Sequence, residues 1–133
     1  LASWPELKQY IQDTYVVTRD VGEGLELEFH GEGRSQKMFV THIQLNDGND
    51  GDWVSIESPI GKSAEVDIVQ ALAAAGDVVC GGLALWAIDP TFLVMKHGIP
   101  LENVDLNEFQ LPVQLLAGTA DRMEKELTGE DRL

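Results

Sequence analysis

Leu25-Glu26-Leu27-Glu28-Phe29-His30 alternates apolar and polar side chains without a break. A period of two puts Leu25, Leu27 and Phe29 on the dry face of a strand, with Glu26, Glu28 and His30 on its wet face. The stretch lies between two turn signals, Gly22-Glu23-Gly24 and Gly31-Glu32-Gly33.

Working outward, the same period recurs on both sides. Val17, Arg19 and Val21 alternate with Val16, Thr18 and Asp20, which predicts a strand before the first turn. After the second turn, Met38, Val40 and His42 share one side of a third strand, and Phe39, Thr41, Ile43 and Leu45 share the other. Asn46 to Asp52 form a polar turn, and Trp53 to Ser58 a fourth strand ended by Pro59. At the start, Ser3-Trp4-Pro5-Glu6 reads as a capping box, followed by Leu7, Tyr10, Ile11 and Thr14 at helical spacing.

Ser63 is placed to cap a second helix over 64–75, with Gly76 as its stop. Two strands follow, Leu83 to Ile88 and Phe92 to His97, joined at Asp89-Pro90. Last comes an amphipathic pattern: Leu106, Phe109, Val113, Leu116, Ala120, Met123 and Leu127 recur at steps of three and four. Pro112 either kinks that helix or forces it to begin near Leu111. The order is α-ββββ-α-ββ-α, an α+β class. Its hairpin-length connections make the sheet mostly antiparallel. No repeat or linker divides residues 1–133, which read as a single domain.

Bulk chemistry narrows the partners. The chain carries 23 acidic against 9 basic residues, a net charge of −14. Nucleic acid and anionic membrane surfaces would be repelled, whereas basic or amphipathic protein segments and cations would be attracted. A plainer role for the acidity is solubility. Cys80 is the single cysteine, so no intramolecular disulfide forms; its setting, Val78-Val79-Cys80-Gly81, is that of a small buried hydrophobe. No run approaches the roughly 18–20 apolar residues of a membrane span, and no signal-peptide order opens the sequence. A cytoplasmic location is expected. The sequence begins at Leu1 rather than Met, which leaves open a removed leader.

The element order and the phrasing of residues 68–127 resemble the type III secretion chaperone-like fold, and within it the YbjN-like proteins, described as bacterial sensory transduction regulators. The resemblance rests on several segments: Val69-Gln70-Ala71-Leu72-Ala73-Ala74-Ala75, Gly82-Leu83-Ala84-Leu85-Trp86-Ala87-Ile88-Asp89-Pro90, Phe92-Leu93-Val94-Met95, Gly98-Ile99-Pro100, and the helix through Leu116, Ala120-Asp121 and Leu127. It implies a twisted antiparallel sheet with helices against it, a homodimer, and a role in binding protein segments or regulating other systems, with no common catalytic site. The fourth N-terminal strand and the polar turn at 46–52 depart from dedicated secretion chaperones and favour a YbjN-like regulator.

Candidate chemistry is sparse. Counting Asn46 as the first position of a calcium loop puts Asp50, Gly51 and Glu57 where an EF-hand needs a ligand, a sharp turn and a bidentate carboxylate. Asn46 and Gly48 are poor at the first and third positions, and the flanks are strands, so the stretch reads as a hairpin turn. Asp50, Asp52 and Glu57 remain weak cation candidates. Gly61-Lys62-Ser63 lacks the glycine of a phosphate loop, since Ile56 stands five residues earlier. His30, His42 and His97 sit on three separate strands and share no metal-ligand spacing. No nucleophile turn is present, and no carboxylate pair stands out. The chain is therefore expected to be no enzyme and to need no cofactor or metal.

Aromatic residues are the better candidates. Trp86 faces opposite to Leu85 and Ala87, and with Phe92 it suits an anchor for a dimer or a peptide; Trp53 is a third such aromatic. Val94 and the apolar face of the last helix, with Leu116 and Met123, extend the expected contact set. That helix stripe either covers the sheet or meets a partner helix. The function expected is protein binding, chaperone-like or regulatory, as a homodimer. The alternative is a small-ligand or cation-binding module using residues 46–57.

Overall fold

The computed structural model describes residues 3–31, 33–44, 52–101 and 105–128. Its elements run α1 (Trp4–Thr14), β1 (Val16–Asp20), β2 (Gly24–Gly31), β3 (Arg34–Gln44), β4 (Asp52–Lys62), α2 (Ile68–Ala75), β5 (Gly82–Leu85), β6 (Phe92–Pro100) and α3 (Leu106–Thr128). This is the expected α+β order. One six-stranded sheet has the spatial order β1-β2-β3-β4-β6-β5, antiparallel at every pairing.

Register sorts the sheet's two faces. Leu25 and Leu27 lie opposite Val40 and Met38, and Val54 lies opposite Ile99. All six are buried, with Ile56 and Met95 beside them. Trp4, Leu7 and Ile11 of α1 and Phe109, Val113, Leu116, Ala120 and Met123 of α3 complete this core. The α3 stripe therefore covers the sheet. The core and most of the energy of folding sit on the helix side, since burial of apolar surface dominates folding.

Local chemistry explains most element ends. The Glu6 N–H donates to Ser3 Oγ at 3.3 Å, closing the N-terminus of α1. At the β1–β2 turn, Gly22 adopts φ +88° and its N–H donates to Asp20 Oδ1 at 2.9 Å. That bond, with Lys8 3.0 Å from the same carboxylate, holds Asp20 below the usual carboxylate range. The Glu108 N–H donates to Asp105 Oδ1 at 2.9 Å, capping α3.

Three local expectations are corrected. Pro59 does not end β4: the strand runs on to Lys62, pairing Pro59 with Val94 across a bulge before Gly61. Beyond Glu57 the β3 side of β4 has no ladder partner in register, so a residue without an N–H fits. Side chains take over there, with Gln36 Nε2 donating to the Pro59 carbonyl at 2.8 Å and Ser58 Oγ donating to the Lys37 carbonyl. Ser63 does not cap α2. It bonds to the Thr91 carbonyl, and Asp67 caps the shorter helix by accepting from the Gln70 N–H at 3.1 Å. β5 stops at Leu85, three residues early. Of the two readings of Pro112, a helix that contains it is the one found: α3 starts at Leu106, ahead of Leu111, with Pro112 inside it.

Candidate partner-binding surfaces

On the face away from the helices, one row of register partners crosses all six strands: Arg19, Glu26, Phe39, Glu57, Lys96 and Gly82. A single aromatic stands amid four charged side chains. Trp86 covers it, with ring centroids 4.8 Å apart for Trp86–Phe39 and 6.2 Å for Trp86–Phe92. Trp86 follows the edge strand β5, and two strands, β6 and β4, separate β5 from β3. At roughly 4.8 Å per strand step, a flat sheet would hold these residues some 14 Å apart. The β5–β6 turn, with the indole of Trp86, therefore folds over the polar face.

Groups that an open face would leave wet are buried on this side. Glu57 is 7% exposed, and burial pushes its carboxyl above the usual range against the opposing pull of Lys96. Among the described residues the buried Ser55 hydroxyl has no hydrogen-bond partner, and neither does the buried Trp86 Nε1. Between the folded turn and the β1–β3 half of the sheet lies a cleft of about 260 Å³, with Phe39, Trp86, Val21 and Ile88 on its walls.

A second surface lies on the helix side, at the β5 edge. Of α2, only Ala71 is buried; Ile68, Val69 and Leu72 are exposed. Val79 is 98% exposed. Its neighbour Cys80 places Sγ 3.9 Å from the Pro112 carbonyl, which sets this segment against α3 beside the exposed Leu111 and Leu115. α2, the α2–β5 connection and this side of α3 thus each expose apolar side chains. Burial also raises the Cys80 thiol above its ordinary range, as expected of an inert cysteine.

The expected contact residues divide. Trp86 and Phe92 come together on the polar face, and both are partly exposed. Val94, Leu116 and Met123 are corrected: each is at most 1% exposed and offers no surface to a partner. Leu116 and Met123 belong to the core under α3, because the stripe faces the sheet. Val94 pairs with Pro59 and Ala84 on the face over which Trp86 folds. Trp53 is half-buried beside Gly98.

The cation candidates do not converge. Asp50 lies outside the described residues, as does the rest of the turn expected at 46–52 apart from Asp52, which begins β4. Asp52 and Glu57 stand five residues apart on one strand, roughly 16 Å and on opposite faces. Asp52 lies 3.4 Å from His42 Nε2, while Glu57 neighbours Lys96. Among the described residues no group of three histidine, cysteine or acidic side chains could hold a metal. No helix there is long and apolar enough to cross a membrane.

Phe39, Ile88 and the α2 patch were not singled out from the sequence. The α2 signal was present: Ile68-Val69-Gln70-Ala71-Leu72-Ala73-Ala74-Ala75 carries no charge and is apolar on more than one side.

A six-stranded antiparallel sheet with helices on one face makes an α+β fold, and comparison shows it to be chaperone-like in architecture. The chain is similar in structure to a chain in the HopA1–SchA chaperone–effector complex, with a TM-score of 0.58 over 88% of this chain and 87% of that one, at 9% identity. No family model and no curated protein matches the sequence.

Proposed function

We propose that this chain is a non-catalytic protein-binding domain, chaperone-like or regulatory, that works as a homodimer in the cytoplasm, with YbjN-like regulators as its kin. The observation that carries the reading is the apolar patch formed by α2, Val79 and α3. Val69 is 76% exposed and Val79 98%, and α2 contributes no charge to the patch. Two copies with a net charge of −14 repel wherever acidic surfaces meet. An uncharged patch is where a second copy can dock without that penalty. Patches of this kind mark interaction sites in proteins.

Trp86 and Phe92 on the other face are the proposed contacts for a partner segment, with the acidic surface drawing basic or amphipathic sequences. The similarity to a chain of a chaperone–effector complex supports a protein partner.

Light scattering on wild type, Val69→Glu and Leu72→Glu tests the homodimer. Both side chains are exposed, so the variants should keep the fold, checked by circular dichroism. The expected result is a wild-type mass of twice 14.6 kDa that each substitution halves. A monomeric wild type, or a dimer indifferent to both changes, sinks the proposed interface.

A further inference from the structure

The cleft under the β5–β6 turn has a chemistry of its own, independent of the α2 patch. Its walls are aromatic and branched: Phe39, Trp86, Val21 and Ile88. Three side chains on it have hydrogen-bonding capacity to spare. The Arg19 guanidinium lines the cleft and makes no ion pair or hydrogen bond among the described residues. Trp86 Nε1 is buried with no acceptor among the described residues, and the Thr41 hydroxyl can donate or accept. The one carboxylate on the lining, Glu26, accepts from the Thr18 hydroxyl and stands opposite Arg19 in the ladder without forming an ion pair with it, which leaves Arg19 as the one cation on the lining.

A ligand matching these walls has an apolar body, and a ligand matching the donors ends in an acceptor, best an anionic one. A carboxylate suits a guanidinium because planar oxygens meet its fork in two parallel bonds. Size sets the remaining limit. A dry cavity of about 150 Å³ holds benzene, so 260 Å³ admits a ring with a short chain. The overall charge of −14 opposes an anion at long range. Screening confines that field to about 8 Å at physiological salt, and the local cation decides at contact.

We infer that the cleft between the β5–β6 turn and the β1–β3 half of the sheet is a small-molecule site for an amphipathic carboxylate. The ligand would pack its apolar body against the joined rings of Phe39 and Trp86 and place its carboxylate at Arg19. This reading goes beyond protein binding, and it stands or falls apart from the homodimer.

Titration with 3-phenylpropionate tests it, followed through the Trp86 indole N–H in nitrogen-labelled protein. 3-Phenylpropanol and 3-phenylpropylamine serve as controls of equal size. The expected result is a saturable shift at Trp86, with Trp4 unmoved and binding about tenfold tighter for the acid than for either control, a difference of about 1.4 kcal/mol. Arg19→Gln, at an exposed position, should erase that preference while leaving the alcohol's affinity alone, and Arg19→Lys should restore part of it. Equal binding of acid and alcohol, full acid affinity in Arg19→Gln, or no saturable shift at millimolar acid would each overturn the assignment.

Discussion

The imidazole of His42 lies flat on the indole of Trp4, with ring centroids 5.4 Å apart and planes 4° from parallel. His42 Nδ1 also donates to Glu23 in the β1–β2 turn, and Nε2 lies 3.4 Å from Asp52 at the start of β4. One side chain on β3 therefore ties together α1, a turn and a neighbouring strand. Trp4 is 6% exposed and is the largest apolar group α1 contributes to the core.

Trp4→Ala should destabilise the fold by about 3–5 kcal/mol, the range for truncating a buried large aromatic. Trp4→Phe, which keeps a ring over His42, should cost less than half as much. Urea denaturation followed by circular dichroism measures both. A Trp4→Ala loss under 1 kcal/mol would mean that α1 docks without its indole.

Gly81 and Gly22 offer a controlled comparison. Both adopt left-handed backbone, at φ +94° and +88°. A Cβ on Gly22 would meet nothing within 4 Å, whereas one on Gly81 would sit 2.6 Å from Leu116 Cδ1 and 3.2 Å from the Lys96 carbonyl oxygen. Gly22→Ala should cost about 1 kcal/mol, from backbone strain alone. Gly81→Ala should cost about 2–4 kcal/mol, because overpacking against α3 adds to the strain. Equal losses in denaturation would show that α3 yields freely at this contact.

Glu57 makes a prediction whose sign depends on pH. Burial raises its carboxyl, the pull of Lys96 notwithstanding. A raised acid binds its proton more tightly in the folded state, so folding loses stability as pH climbs from the ordinary glutamate value through the raised one. Above that window the buried charge is a standing cost. Glu57→Gln should therefore be more stable than wild type at pH 7, and the gap should shrink as pH falls toward 4. Denaturation midpoints at a series of pH values read this directly; a variant less stable than wild type at pH 7 would show that the pair with Lys96 outweighs desolvation.

Much of the fold was legible because periodicity is local. The alternation of Leu25, Leu27 and Phe29, the opposite alternation through Met38 and Val40, and the Ser3 cap each depend on residues within a turn or two. What failed was decided at a distance. Pro59 stays in β4 because the backbone ladder to β3 ends at Glu57 and side chains bridge the strands beyond it, a fact about a neighbouring strand. Asp67 rather than Ser63 starts α2 because Ser63 bonds to Thr91.

The site was legible only in part, for the same reason. A stripe of Leu116 and Met123 announces that something covers it, and the period is silent on whether that is the chain's own sheet or a partner. Trp86 was identifiable as an unusual aromatic on a strand face. Its meeting with Phe39, across two intervening strands, follows from the β5–β6 turn folding back over the sheet, which no short window of sequence encodes.

The position of α3 has a further consequence, for synthesis. Strands β1 to β4 are consecutive in the chain and neighbours in space, so the first 62 residues can assemble as a meander from nearby pairings. The helix that seals their dry face lies at Leu106–Thr128. A nascent chain emerging from the ribosome must carry Leu27, Met38 and Ile56 on a half-built sheet until α3 follows. For that interval a protein with a chaperone-like fold would itself depend on shelter from others.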